Sequence, residues 1–140
     1  MTVQGAKRSN QQAVFMGRVR EHIEVKGHKF WTLFDTGARN TYVVPDVAAL
    51  LLPTKLTKPF TTARGGSVKK ANETAVLEGK IKGHRFAIQV MVLKDIGQDE
   101  DGKSIQVLFG ALAMQQWGIR LIPDEERLDL SHFTREFVEF

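Results

Sequence analysis

The sequence predicts an all-β domain, a small closed antiparallel β-barrel with one or two short helices. Apolar and β-branched residues alternate or cluster in short runs, and turn residues such as Gly, Pro and Asp separate these runs. With 140 residues, 42% of them hydrophobic, the chain is long enough to bury its own core. We expect a flexible N-terminal leader over residues 1–12 and a single domain over residues 13–140.

Composition excludes several classes of site. The chain has no cysteine, which removes disulfides, thiolate metal sites and a cysteine nucleophile. No motif for a metal or cofactor is present, so we expect neither. No apolar run is long enough to span a membrane and no signal-peptide core is seen, which favours a soluble, cytoplasmic protein. The net charge of +4 is modest. A solvated basic face therefore explains it better than nucleic-acid binding.

The first half of the chain predicts strands and one short helix. Lys26-Gly27-His28 is a turn signal between two strands, and the continuous apolar run Phe30–Phe34 indicates burial on both faces. A helix is expected to begin after Asp46 as N-cap and to end before Pro53. The predicted elements are strands over 14–20, 22–25, 30–34 and 41–44 and a helix over 47–52.

The second half repeats this turn. Lys82-Gly83-His84 predicts a hairpin, and its likeness to the first turn favours two similar hairpins over two related halves of a fold. Residues 54–72 are polar and basic, with Gly65-Gly66 near their middle. Gly118 is a candidate C-cap for a short helix. The predicted elements are strands over 75–81, 85–93, 105–109, 121–122 and 127–130 and a helix over 110–118.

Asp35 stands out because it directly follows the apolar strand, in the segment 33-LFDTGA-38. A charged side chain is rarely buried without a partner or a function. Asp-Thr-Gly alone is also an ordinary Asx-turn sequence. A second apolar strand ending in glycine, 107-VLFG-110, lies about 70 residues later and runs into the predicted helix.

The order of these parts resembles retroviral-type, single-lobe aspartic proteases, the retropepsin-like family. That family has an apolar strand leading into Asp-Thr-Gly-Ala, a glycine-bearing flap hairpin, and an apolar strand ending in Gly before a short helix. The matching segments here are 33–38, a candidate flap within 62–81, and 107–122. The resemblance spans roughly residues 14–130 and implies the retropepsin (acid protease) type of barrel.

The resemblance implies an aspartic endopeptidase in which Asp35 is catalytic and Thr36, Gly37 and Ala38 support the active-site loop. One Asp-Thr-Gly per chain implies a C2 homodimer, because the mechanism needs two carboxylates that share a proton. The expected partners are a second copy of the chain and a peptide or protein substrate. The implied substrate-binding residues are Arg39, Arg64, Gly65, Gly66, Ser67, Leu108, Phe109 and Gly110.

Two departures from the family pattern leave alternatives open. Arg39 stands where viral relatives usually carry an acidic residue, and Ala111 stands where they carry Arg, so the ion pair that braces the viral loop is missing. An inactive homodimeric binding or assembly module is therefore the alternative. Together with Arg64, Lys69 and Lys70, Arg39 also suggests a preference for acidic side chains beside the cleaved bond.

Overall fold

The computed structural model describes residues 17–64 and 66–134, so the leader and Gly65 lie outside the described residues. In these residues the chain forms nine strands, two α-helices and a 3-10 helix. The strands are β1 (Arg18–Val25), β2 (His28–Asp35), β3 (Tyr42–Val43), β4 (Thr54–Arg64), β5 (Ser67–Ile81), β6 (His84–Val92), β7 (Val107–Phe109), β8 (Arg120–Ile122) and β9 (Arg127–Asp129). The α-helices are α1 (Pro45–Ala48) and α2 (Ala111–Trp117), and the 3-10 helix is Pro123–Glu125.

Seven strands form one sheet in the order β1-β2-β7-β3-β6-β5-β4, and β8 pairs with β9 in a small second sheet. A further pairing of β1 with β5, through Glu24 and Lys80, joins two strands that are far apart in that order. Most pairings are antiparallel, but β2–β7 and β3–β6 are parallel. The predicted all-β class with short helices is confirmed.

The core lies inside the large sheet and fixes the strands that carry the motifs. Phe34 on β2 and Phe109 on β7 are fully buried, with ring centroids 4.7 Å apart. Phe86 on β6 meets Phe109 edge-on at 5.5 Å. Such aromatic contacts stabilise the core in addition to the stabilisation that comes from burying apolar area. The strand that ends in Asp35 and the strand that precedes Gly110 are thus held together by packing in the core.

The two similar turns do form similar hairpins. Lys26 and Gly27 both have positive φ, 50° and 82°, and Lys82 and Gly83 have nearly the same values, 47° and 83°. Positive φ at both central residues is the signature of the type I′ turn, whose twist matches that of the flanking strands. The predicted pair of hairpins, β1–β2 and β5–β6, is therefore confirmed.

The polar, basic segment 54–72 belongs to a long hairpin in the structure, of which the sequence predicted only a flap within 62–81. β4 and β5 pair from Thr54–Thr74 to Arg64–Ser67, and Gly66 with φ 82° is in the turn. The pairing shifts between Lys55 and Phe60, so β4 contains a bulge. Most side chains of β4 are exposed, so the segment lacks the alternation of apolar and polar residues that identifies a half-buried strand in a sequence.

Both helices differ from their predicted bounds: α1 spans Pro45–Ala48 where 47–52 was expected, and α2 spans Ala111–Trp117 where 110–118 was expected. α1 begins with Pro45 and Asp46 lies in its first turn, so the prediction that Asp46 caps the helix is wrong; no side chain caps this helix. Proline suits the first helical position because its missing N–H would have no partner there. Gly118, in the left-handed conformation, ends α2 as predicted. No helix in residues 17–64 and 66–134 is long and apolar enough to cross a membrane.

The loop between β6 and β7 is held by a buried carboxylate. The Asp99 side chain is only 1% exposed and accepts a hydrogen bond from the Trp31 indole at 2.8 Å. It also accepts backbone N–H bonds from Asp101 and Lys103, each at 2.9 Å. Arg20 approaches the same carboxylate at 3.5 Å. Desolvation opposes the charged form of Asp99, but these hydrogen bonds and Arg20 together lower its pKa.

Asp99→Asn is expected to destabilise the fold at neutral pH. A carboxyl whose pKa is lowered on folding adds stability above its ordinary value near 4, and that stability is lost as the pH falls through the folded value. Urea unfolding between pH 2 and pH 7 should therefore show the wild-type advantage shrinking as the pH drops below about 4.

Glu100→Gln is the matched control, since Glu100 is an exposed carboxylate in the same loop. It should leave the free energy of unfolding nearly unchanged at neutral pH, because exposed charges contribute little. A constant difference between wild type and Asp99→Asn over the whole pH range would contradict the role given to Asp99.

Candidate active site

Asp35 is the last residue of β2, where a buried strand reaches the protein surface. The residue is 7% exposed although its neighbours Thr36 and Gly37 are exposed. Its backbone position is set by pairing with Arg18 on β1. The preceding Phe34 pairs with Phe109 on β7. Asp35 therefore sits at the rim of the core with little freedom to move.

The loop after β2 turns back on the Asp35 carboxylate. The Gly37 N–H donates to Asp35 Oδ1 at 2.8 Å, and the Ala38 N–H donates to the Asp35 carbonyl at 3.1 Å. A hydrogen bond to a carboxylate is stronger than one between neutral groups. The Asp-Thr-Gly-Ala sequence thus forms an Asx-type turn that also orients one carboxylate oxygen.

Gly17 supports the loop from the β1 side, and sequence reasoning missed it. The Thr36 N–H donates to the Gly17 carbonyl at 2.8 Å, and the Thr36 hydroxyl approaches the same oxygen at 3.4 Å. Gly17 has φ 96°, a conformation that L residues with side chains rarely adopt. A Cβ at position 17 would also collide with the Thr36 hydroxyl.

The start of α2 supports the loop from the opposite side through backbone groups. The Ala111 N–H donates to the Ala38 carbonyl at 2.6 Å, and the Leu112 N–H donates to the Arg39 carbonyl at 3.1 Å. Gly110 has no side chain, and a Cβ there would collide with the Asn40 carbonyl. These backbone contacts brace the loop in a chain whose sequence lacks the Arg–acid ion pair.

Thr41 completes this support and is a second residue that sequence reasoning missed. Its hydroxyl accepts the Gly110 N–H at 3.0 Å, and the residue is buried. The hydroxyl partners the N–H that precedes the helix, much as a cap would. No sequence signal marks this contact, because the two residues lie 69 positions apart.

Arg18 forms an ion pair with Asp35 that the sequence did not reveal. Arg18 Nε lies 3.4 Å from Asp35 Oδ2, the carboxylate oxygen that Gly37 does not hold. The Arg18 side chain is partly exposed and that of Asp35 is almost buried. Only the register of β1 against β2 places these two residues opposite each other. In the single chain, then, the Asp35 carboxylate has a partner at each oxygen.

The predicted substrate-binding residues fall into two groups. Arg39 is exposed beside the loop, and Gly66 and Ser67 are exposed at the tip of the β4–β5 hairpin, whose backbone pairing runs to Arg64. Within the described residues, no hydrogen bond or ion pair joins this tip to the Asp35 loop. Leu108 and Phe109 are instead core residues, 2% and 0% exposed, so their side chains pack beneath the loop and are not open to a peptide.

The hairpin has one charged attachment near its tip. Lys69 Nζ lies 3.3 Å from Asp95 Oδ1, on the loop that follows β6. Ala71, two residues further along β5, is buried in a cluster that includes Leu33 and Leu108. The hairpin therefore packs over the same strands that carry the Asp35 loop, and its exposed tip extends beyond them.

The site offers one oriented carboxylate per chain and no metal centre in the described residues. No group of three or more His, Asp or Glu residues in the described ranges is arranged to hold a metal ion. A single carboxylate can accept a proton from water, but it cannot at the same time protonate the carbonyl that the water attacks. Hydrolysis at this site therefore requires a second acid.

Comparison with solved structures identifies the fold. The retroviral protease-like domain of Ddi1 from Leishmania major superposes with a TM-score of 0.59 at 11% identity, over 88% of this chain and 95% of that one. The chain has a retropepsin-like fold. EIAV protease, in complex with the inhibitor HBY-793, superposes with a TM-score of 0.51 at 15% identity, over 75% of this chain and 92% of that one. No protein-family model and no curated protein matches the sequence.

The retropepsin-like fold agrees with the architecture that the sequence resemblance implied. At such low identity the likeness concerns the arrangement of strands alone. The elements that meet here are those the sequence pointed to: the end of β2, the Asp35 loop and the glycine before α2.

Gly17→Ala is expected to lower the free energy of unfolding by about 2–4 kcal/mol, since it combines a left-handed backbone with a collision against Thr36. Urea denaturation measures this loss. The amide resonances of Thr36 and Gly37 should shift as well, because the loop can no longer approach β1.

Gly27→Ala is the control that separates the cost of the left-handed backbone from the cost of the collision with Thr36. Gly27 has a similar φ of 82°, but a Cβ there meets nothing within 4 Å. It should cost only about 1–2 kcal/mol, the cost of the left-handed conformation, and leave the Asp35 loop unperturbed. Equal losses for the two variants would show that contact with Thr36 contributes nothing.

Proposed function

We propose that this protein is an aspartic endopeptidase that acts as a homodimer, with Asp35 from each chain forming the catalytic pair. The observation that carries the proposal is the position of Asp35 and the contacts of its loop. A nearly buried carboxylate ends a core strand, and backbone hydrogen bonds from both flanking elements hold its loop. The retropepsin-like fold supports it, since both solved structures compared here are named as proteases or protease-like domains.

The chemistry explains why a second copy is needed. Two carboxylates about 3 Å apart cannot both ionise, so they share one proton. The ionised partner takes a proton from water while the protonated partner gives one to the peptide carbonyl, and the pair titrates as a unit. A chain with one Asp-Thr-Gly loop obtains this pair through a two-fold axis that passes beside Asp35. Thr36 is exposed next to Asp35, and in such a dimer it would contact its own copy across that axis.

The β4–β5 hairpin would act as the flap of this enzyme. A peptide in extended conformation would lie between the hairpin and the Asp35 loop and pair with strand edges through its backbone. Closure of the exposed tip around Gly66 and Ser67 would then exclude water and position the scissile bond.

One observation favours a second candidate, a non-cleaving binding or assembly module. Arg18 pairs with the Asp35 oxygen that Gly37 leaves available. If this ion pair persists in a dimer, each Asp35 carboxylate already has a positively charged partner, which favours its ionised form. The two carboxylates would then not share a proton. The fold and the dimer would then serve binding, and Asp35 would be a structural ion-pair partner.

Asp35→Asn is the direct test of hydrolysis. If Asp35 is catalytic, the variant should lose roughly 10²–10⁴-fold in turnover, because a neutral amide cannot take a proton from the attacking water or give one to the peptide carbonyl. The measurement is the appearance of new peptide N-termini by mass spectrometry, with a denatured protein mixture as substrate at several pH values. Identical cleavage by both chains, or none by either, would favour the binding module.

A mixing experiment tests whether the pair is formed between chains. When wild-type and Asp35→Asn chains are refolded together in equal amounts, only about a quarter of the dimers carry two aspartates. Activity should therefore fall to about a quarter of that of the unmixed wild type at the same total concentration. A fall to one half would mean that each chain acts alone and would contradict the shared pair.

A further inference from the structure

A pocket of about 530 Å³ lies beside the Asp35 loop. Its walls come from the segment that follows the loop, from β4 of the hairpin, from β6 and from the exposed side of α2. The residues that matter here are Arg39, Tyr42, Phe60, Met91, Leu112 and Gln116. The pocket thus joins the two elements, loop and hairpin, between which the proposed function places an extended peptide.

The pocket has a single charged side chain, which is a cation. Arg39 is the one Lys, Arg, Asp or Glu among its lining residues. Within the described part of the chain, no carboxylate lies within ion-pair distance of Arg39. The Asp35 carboxylate does not neutralise it, because the cation that Asp35 contacts is Arg18. The guanidinium therefore presents unpaired donors next to the pocket.

Two large apolar side chains line the same pocket as Arg39 and remain exposed. Phe60 on β4 is 59% exposed and Leu112 on α2 is 48% exposed, although most large apolar side chains in residues 17–64 and 66–134 are buried. Exposed apolar surface grouped around a pocket indicates a binding site. Here it would cover the aliphatic part of a ligand whose charged end meets Arg39.

We propose that this pocket is a specificity subsite for glutamate side chains of the peptide substrate. Glutamate has two methylenes that can lie against Phe60 and Leu112, and its carboxylate can form a two-point hydrogen-bonded pair with Arg39. Aspartate has a shorter stem, and lysine would bring two cations together. This inference rests on the proposed function, because it assumes that a peptide lies between the hairpin and the loop.

The structure also reduces the number of basic residues that can account for a preference for acidic side chains. The sequence suggested that Arg39 acts together with Arg64, Lys69 and Lys70. Lys69 is already paired with Asp95 at 3.3 Å, and neither Lys69 nor Lys70 lines the pocket. Of Arg39, Lys69 and Lys70, only Arg39 lines the pocket, so the acidic preference is assigned to Arg39.

The test measures binding without cleavage, in the full chain carrying Asp35→Asn. The probes are dye-labelled peptides with an apolar centre and one flanking position occupied by Glu, Gln, Asp or Lys, titrated by fluorescence anisotropy. The Glu peptide should bind at least roughly 10-fold more tightly than the Gln peptide, since a charge-assisted pair is replaced by a neutral contact. Adding Arg39→Gln should abolish this preference.

Arg85→Gln is the matched control. Arg85 is an exposed arginine on β6 that lines a different groove, and its loss changes the net charge by the same amount. It should leave the Glu preference intact. Equal loss of preference in both arginine variants would show a general attraction of acidic peptides by net charge and would overturn the subsite.

The possible results distinguish failure of the subsite from failure of the proposed function. Cleavage by the wild-type chain with equal affinity for Glu and Gln peptides would overturn the subsite and leave hydrolysis standing. Glu-selective, Arg39-dependent binding by a chain that never cleaves would support the pocket and overturn the enzyme. Absence of binding by every peptide in the set would overturn the subsite.

Discussion

Two backbone hydrogen bonds at the start of α2 hold the Asp35 loop in place, and the geometry of the site depends on them. They form because Gly110 lets the chain pass against the Asn40 carbonyl, where any side chain would collide. Every residue except proline carries a backbone N–H, so Ala111 and Leu112 brace the loop without polar side chains. This explains how the chain dispenses with a charged brace.

The same constraint links the core to the site. β7 ends in Phe109, whose ring packs against Phe34, and the residue after each of these aromatics is a site residue, Gly110 or Asp35. Tight packing of two large rings fixes the distance between the two strand ends. The Asp35 carboxylate is thereby oriented by burial and backbone hydrogen bonds together, while Arg18 adds an opposing charge from a partly exposed position.

The sequence predicted the parts that depend on local chemistry. The turns at Gly27 and Gly83, the cap at Gly118 and the Asp-Thr-Gly-Ala turn each follow from residues close together in the chain, whereas Gly110 was linked to that turn by the family resemblance. Gly17, Arg18 and Thr41 were missed because they act through strand register and long-range contacts, which leave no periodic signal. β4 was missed for a different reason: its residues are mostly exposed, so no apolar face marks it as a strand.

The exposed β4 has a consequence for how the protein behaves in solution. A long edge strand can pair with the edge of another molecule and start aggregation. β4 ends the strand order of the large sheet, but Lys55, Lys58 and Pro59 lie in or beside the stretch where its pairing is irregular. The lysine charges, the missing backbone N–H of Pro59 and the bulge each disfavour pairing of this edge with a strand of another molecule. The hairpin can thus remain uncovered at high concentration without joining neighbouring molecules into an extended sheet.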